Sequence, residues 1–132
     1  MHDDEPKILI VEDDQATIVV LEEFIGEVRE VGFVWLTTGE EDRVVNALAK
    51  NRIIGVFQDW AGTSRGLENA RLFGERNIPV AITSACEPLD IATSLETNGV
   101  SVEAILSKPF PGVAITNTVR RWLEKATVGK QN

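Results

Sequence analysis

The chain alternates between short apolar runs and longer stretches in which apolar residues recur every three or four positions. Lys7–Val11 reads as a short apolar strand, and Phe33–Leu36, Ile53–Phe57, Ile78–Thr83 and Val102–Leu106 repeat the type. Between them lie helical patterns. Gln15–Val31 places Ile18, Leu21, Ile25 and Val28 on one face and is stopped by Gly32. Thr38 and Glu41 form a candidate capping box for a helix running to about Lys50 that buries Val44, Val45 and Leu48. Leu67, Ala70 and Phe73 give the next helix its apolar face, ending near Asn77, and Pro88–Thr97 predicts a short helix. Pro111 suits the first turn of a last helix that turns Ile115, Val119, Trp122 and Leu123 inward and frays from Thr127.

Strands joined by helical crossovers make a parallel sheet with helices on both faces, so the pattern predicts an α/β fold of five βα units. Residues 1–6 and 127–132 are expected to be tails around one domain spanning 7–126. In such sheets a site sits at the carboxyl ends of the strands.

Composition narrows the function. The chain has 132 residues, 43% of them hydrophobic, enough for one core without metal or disulfide staples. Its formal net charge is −8, a poor match for nucleic acid or anionic membranes. No apolar run approaches the roughly 18 residues of a membrane span, and the acidic first residues are no signal peptide. One cysteine, Cys86, excludes an internal disulfide and points to a reducing, cytoplasmic setting. The only histidine is His2, in the expected tail, so histidine-based catalysis is not anticipated.

The strand ends carry the candidate chemistry. Glu12, Asp13 and Asp14 follow the first strand, Asp59 the third, Thr83–Ser84 the fourth and Ser107–Lys108–Pro109 the fifth. Each has a bland reading: Asp14 as a helix cap, Asp59 as a turn former, Ser84 as a cap, Lys108 as a surface lysine. Their convergence on one rim favours chemistry instead. Clustered carboxylates suit Mg²⁺, a hard ion that keeps waters and shares a phosphate. A carboxylate beside it can attack phosphorus, while a lysine and a hydroxyl meet the charge on the transferring oxygens.

The ordered set "ILIVEDD", "VFQDW", "IPVAITSA" and "ILSKPF" resembles the receiver domains of bacterial two-component response regulators over roughly Lys7 to Lys125. The resemblance implies a flavodoxin-like (βα)5 fold with strand order 2-1-3-4-5. It implies that Asp59 accepts a phosphoryl group from a histidine kinase or histidine phosphotransfer protein, and that the signal passes to a downstream protein. Mg²⁺ (or Mn²⁺) would be held by Glu12, Asp13, Asp59 and the backbone carbonyl of Ala61. Ser84, the backbone amide of Ala85 and Lys108 would contact the phosphoryl group, and Lys108–Pro109 would be a cis peptide. Strand alternation lets only one of Thr83 and Ser84 face the rim with the first-strand acids, and family spacing favours Ser84.

Several features depart from that pattern. The loop from Asp59 to Gly66 is a residue short and lacks the usual proline, and Ile105 stands where the family's aromatic switch residue is expected. Two other readings therefore stay open. One is a receiver-like binding module that works without phosphorylation. The other is a Mg²⁺-dependent phosphohydrolase with an aspartyl-phosphate intermediate, which lacks the second Asp two residues past Asp59 that such enzymes use as general acid.

Overall fold

A computed structural model describes residues 3–37, 41–60 and 64–131. His2, the Thr38 half of the expected capping box and Ala61 lie outside these residues.

The elements alternate along the chain: β1 (Asp3–Val11), α1 (Gln15–Ile25), β2 (Gly32–Leu36), α2 (Glu41–Lys50), β3 (Asn51–Asp59), α3 (Ser64–Glu75), β4 (Val80–Ser84), α4 (Pro88–Thr97), β5 (Ala104–Ser107) and α5 (Gly112–Gln131). The five strands form one sheet in the order β2-β1-β3-β4-β5, every pair parallel. This is the flavodoxin-like order expected, and it brings the carboxyl ends of β1, β3, β4 and β5 to one rim.

Period-2 alternation divides the core between the two faces. Leu9, Val11, Val56 and Ile82 point to one face and pack with Val44 of α2, Phe73 of α3 and Ile91 and Leu95 of α4. Ile8, Ile10, Phe57 and Ala81 point to the other, against Leu21 and Ile25 of α1 and Ile115, Val119 and Trp122 of α5. Each large side chain buried in this way stabilises the fold by about 1.5–3 kcal/mol.

The close fit of α5 has a local cause. A Cβ added at Gly55 of β3 would lie 2.1 Å from the Trp122 ring, so the indole occupies the space a side chain would fill. The ring also meets Phe57 at a centroid distance of 5.0 Å, tilted by 50°, within the favoured range for aromatic pairs.

Several details differ from the sequence reading, including the ends of β3, β4 and β5, which shift by one or two residues. β1 begins at Asp3, because its first residues pair with Asn51 and Arg52 at the start of β3 rather than forming a tail. α1 ends at Ile25, where the Gly26 N–H caps the carbonyl of Glu22, though Val28 and Val31 remain buried beyond it. In α2 it is Ala47 that is buried beside Val44, while Val45 is exposed. α5 continues to Gln131, past the expected fraying point at Thr127. α4 spans the residues its pattern predicted, with Pro88 in its first turn.

Candidate functional site

Along β1, β3, β4 and β5, strand alternation carries Glu12, Asp59, Thr83 and Lys108 to the same side of the rim. Each is in phase with residues of the α1/α5 face: Ile10, Phe57, Ala81 and Leu106. Ser84 is in phase with Ile82, on the opposite face.

Lys108 stands at the centre. Its ammonium donates to Glu12 Oε1 at 3.0 Å and to Asp59 Oδ1 at 3.1 Å. The peptide bond after it, Lys108–Pro109, is cis, as the resemblance implied. Its backbone N–H donates to Ser84 O at 2.7 Å, which ties the β5 end to the β4 end.

Glu12 is the buried member of the set, with 1% of its surface exposed. Besides Lys108, its Oε1 accepts the Asp14 backbone N–H at 3.1 Å, and its Oε2 accepts the Thr83 hydroxyl at 3.1 Å. Its backbone is held too: the Trp35 indole N–H donates to Glu12 O at 2.8 Å, and the Glu12 N–H donates to Leu36 O at 3.1 Å.

The charges act on one another. Burial pushes the Glu12 carboxyl above its ordinary 4.5, and the nearby Asp59 charge adds to that against the opposing Asp14 and Lys108 contacts. Burial pulls Lys108 down, but its hydrogen bonds to Glu12 and Asp59 outweigh this and hold it above 10.5. Asp14, at the start of α1, accepts the Thr17 hydroxyl, which holds its carboxyl below 3.8. Asp14 stands at the N-cap position of α1 as expected, but its carboxylate bonds the Thr17 hydroxyl rather than capping a helix N–H.

Asp59 is anchored through its main chain. The Gln58 side-chain amide donates to Asp59 O at 3.0 Å, and the Gln58 carbonyl accepts the Asn69 amide of α3 at 3.3 Å. Both amides are buried. On the β4 side, the Trp60 N–H donates to Thr83 O at 2.9 Å.

The structure therefore brings together Glu12, Asp59 and Lys108 from the expected set, and Asp13 is exposed just past the end of β1. It places the two hydroxyls in different roles. Thr83 is the one that touches a first-strand acid. Ser84, 1% exposed, accepts the Cys86 N–H at 2.8 Å. Ala85 is exposed beside Lys108 in a cavity that Pro109 and Phe110 also line. Ile105 lies on the other face, packed partly buried against that core.

Sequence reasoning weighed Thr83 but preferred Ser84 as the hydroxyl that shares the rim with Glu12, which the structure reverses, and it missed Trp35, Gln58 and Asn69. A signal existed for Thr83: a hydroxyl in the wholly buried run Val80–Ser84 needs a hydrogen-bond partner.

The donors suit a hard cation only in part. Among the described residues, no three acidic, histidine or cysteine side chains are grouped so as to hold a metal ion. Glu12 has both oxygens engaged by protein donors. Carboxylate oxygens remain the chemistry Mg²⁺ takes, and one or two of them with waters suffice, so the side chains of Asp13 and Asp59 are of the type the ion takes. Among the described residues, no helix is long and apolar enough to cross a membrane.

No protein-family model matches the chain, and no curated protein matches it in sequence. Solved structures do match its fold. A response regulator from Thermotoga maritima is 19% identical with a TM-score of 0.74, over 90% of this chain and 98% of that one. A response regulator receiver protein from Burkholderia phymatum is 23% identical with a TM-score of 0.71, over 90% and 95%. The signal receiver domain of a signal transduction histidine kinase from Syntrophus aciditrophicus is 24% identical with a TM-score of 0.66, over 90% of each chain. The chain has the receiver-domain fold.

Proposed function

We propose that this chain is a phosphorylation-controlled signalling module, in which a carboxylate oxygen of Asp59 attacks the phosphorus of a phosphohistidine on a histidine kinase or phosphotransfer protein. The new O–P bond forms as the N–P bond breaks, and the imidazole is the leaving group. The observation that carries this reading is the Lys108 ammonium, 3.1 Å from Asp59 and shared with buried Glu12. A cation in that place meets the charge of an incoming phosphoryl group.

Mg²⁺, when bound, would neutralise further charge on the phosphoryl oxygens, with Asp13, Asp59 and the Ala61 carbonyl as ligands and Glu12 behind them. The Ser84 hydroxyl, whose oxygen accepts the Cys86 N–H, would reach a phosphoryl oxygen only by turning across the end of β4 from the face it shares with Ile82. The Ala85 amide would supply another donor. Phosphorylation adds about −1.5 to −2 charges at Asp59. Lys108 is then drawn from Glu12 toward the new group, and the β4 and β5 ends move with it.

The test is incubation with acetyl phosphate and Mg²⁺ followed by intact mass. The wild type gains one phosphoryl group and Asp59→Asn gains none. Equal labelling of both proteins would remove Asp59 as acceptor. One observation favours a second reading, a binding module that works unphosphorylated: Glu12 already has all its oxygens engaged by protein donors. No labelling of the wild type would select that reading.

A further inference from the structure

We infer that Thr83 is a positioning residue of the phosphoryl-acceptor site, holding Glu12 as the resting counter-ion that keeps Lys108 from closing over Asp59. The inference rests on the acceptor role proposed for Asp59. Thr83 is fully buried, and its hydroxyl donates to Glu12 Oε2 at 3.1 Å. Lys108 and the Asp14 N–H both approach the other oxygen, Oε1, so Thr83 is the donor that holds Oε2 and completes the grip on the carboxylate.

The position of the hydroxyl follows from register. Thr83 pairs with Asp59 across β3–β4 and with Leu106 across β4–β5, which sets it between the acceptor strand and the strand that leads to Lys108. The backbone around Glu12 is fixed independently by the Trp35 indole and the Leu36 carbonyl. The side-chain torsions of Glu12 remain to be set, and Thr83 contributes the contact to Oε2 that the Asp14 N–H and Lys108 do not.

The consequence concerns how one ammonium is divided between two carboxylates. With Glu12 held, Lys108 bonds both acids and leaves Asp59 Oδ2 outside the ion pair. With Glu12 released, Lys108 loses its deeper partner and settles on Asp59, the group that must meet both the cation and the phosphorus. Outer contacts of this kind change metal affinity by about 10- to 100-fold when removed.

Thr83→Val keeps the shape and removes the hydroxyl, while Thr83→Ser keeps the hydroxyl and removes a methyl. Calorimetric titration with Mg²⁺ and the rate of labelling by acetyl phosphate are read on both variants and on the wild type, with thermal melts to show that each is folded. We expect Thr83→Val to weaken Mg²⁺ binding about tenfold and to slow labelling, and Thr83→Ser to restore both. Should the valine variant not fold, Thr83→Ala carries the same comparison. A folded valine or alanine variant with wild-type Mg²⁺ affinity and labelling overturns the inference while leaving the Asp59 reading intact. So does a serine variant as impaired as the valine one, since packing would then be the cause. A wild type that neither binds Mg²⁺ nor is labelled removes the acceptor reading and this inference together.

Discussion

Two charged clusters stand at opposite ends of the sheet, and their arithmetic differs. At the carboxyl end, Glu12 and Asp59 share one ammonium, that of Lys108, with Asp13 exposed beside them. At the amino end of β5, a single carboxylate, Glu103, accepts from the Arg121 guanidinium at 2.8 Å and from the Trp122 indole N–H, with Lys125 at 3.6 Å. The first cluster is short of positive charge; the second is saturated. A saturated cluster is a strut, here pinning α5 to the start of β5. An under-neutralised one is held in place by the fold around it. Charge balance separates the two ends of the sheet, and so does burial, since Arg121 and Lys125 are exposed where Lys108 is largely covered.

The largest expected effect breaks the structural end. Trp122→Ala removes the ring that fills the space over Gly55, and should lower unfolding free energy by about 3–5 kcal/mol in a denaturant titration. Gly55→Ala should act in the same direction, since the new methyl would sit 2.1 Å from that ring. A milder change to either than to an ordinary surface substitution would mean that α5 is not anchored there.

The next pair tests the contrast by its sign. Glu103→Gln gives up charge-assisted hydrogen bonds to Arg121 and Trp122 and should destabilise by about 1–2 kcal/mol. Asp59→Asn relieves a crowded acidic rim and should stabilise by about 1 kcal/mol. Thermal melts of the two variants should move apart, and a shift of both in the same direction would erase the contrast between the two ends of the sheet.

The smallest effect is in pH. Burial would raise the Glu103 carboxyl, but the Arg121 and Trp122 hydrogen bonds with the Lys125 charge overcome it and hold it below 4.5. Its contribution is therefore fully present above pH 4.5 and lost as pH falls through the folded-state value. Glu12 is held above 4.5 by burial, so its contribution is fully present below that pH and lost as pH rises through its folded-state value. The stability difference between wild type and Glu103→Gln should shrink toward acid, while wild type should lose ground to Glu12→Gln as pH rises. Parallel profiles for the two variants would contradict the assignment of opposite electrostatic roles.

Much of the fold was legible because each βα unit carries its own period. The strand cores and the α4 bounds needed no tertiary information. The start of β1 did, since Asp3–Glu5 carry no apolar signal and are ordered by pairing with β3. The end of α1 was hidden for the opposite reason: Val28 and Val31 continue the apolar spacing into a turn that only local hydrogen bonding reveals. At the site, Glu12, Asp59 and Lys108 could be read because strand ends converge in a parallel sheet. The choice between Thr83 and Ser84 could not be made from alternation alone. It depends on which face the acids of β1 share with β4, and that is fixed by the sheet's faces rather than by any residue's identity. Gln58 and Asn69 were invisible because two buried amides eleven residues apart announce no partner until α3 lies down on β3.

The indole of Trp35, two-fifths exposed and bonded to the carbonyl of Glu12, gives the rim an optical reporter of its own. Trp122, 1% exposed, emits from a buried site against Phe57 with its N–H on Glu103, and so in a different part of the spectrum. Light collected at the red edge therefore comes from the rim, from Trp35 and from half-buried Trp60 beside Asp59, without any dye or label being attached.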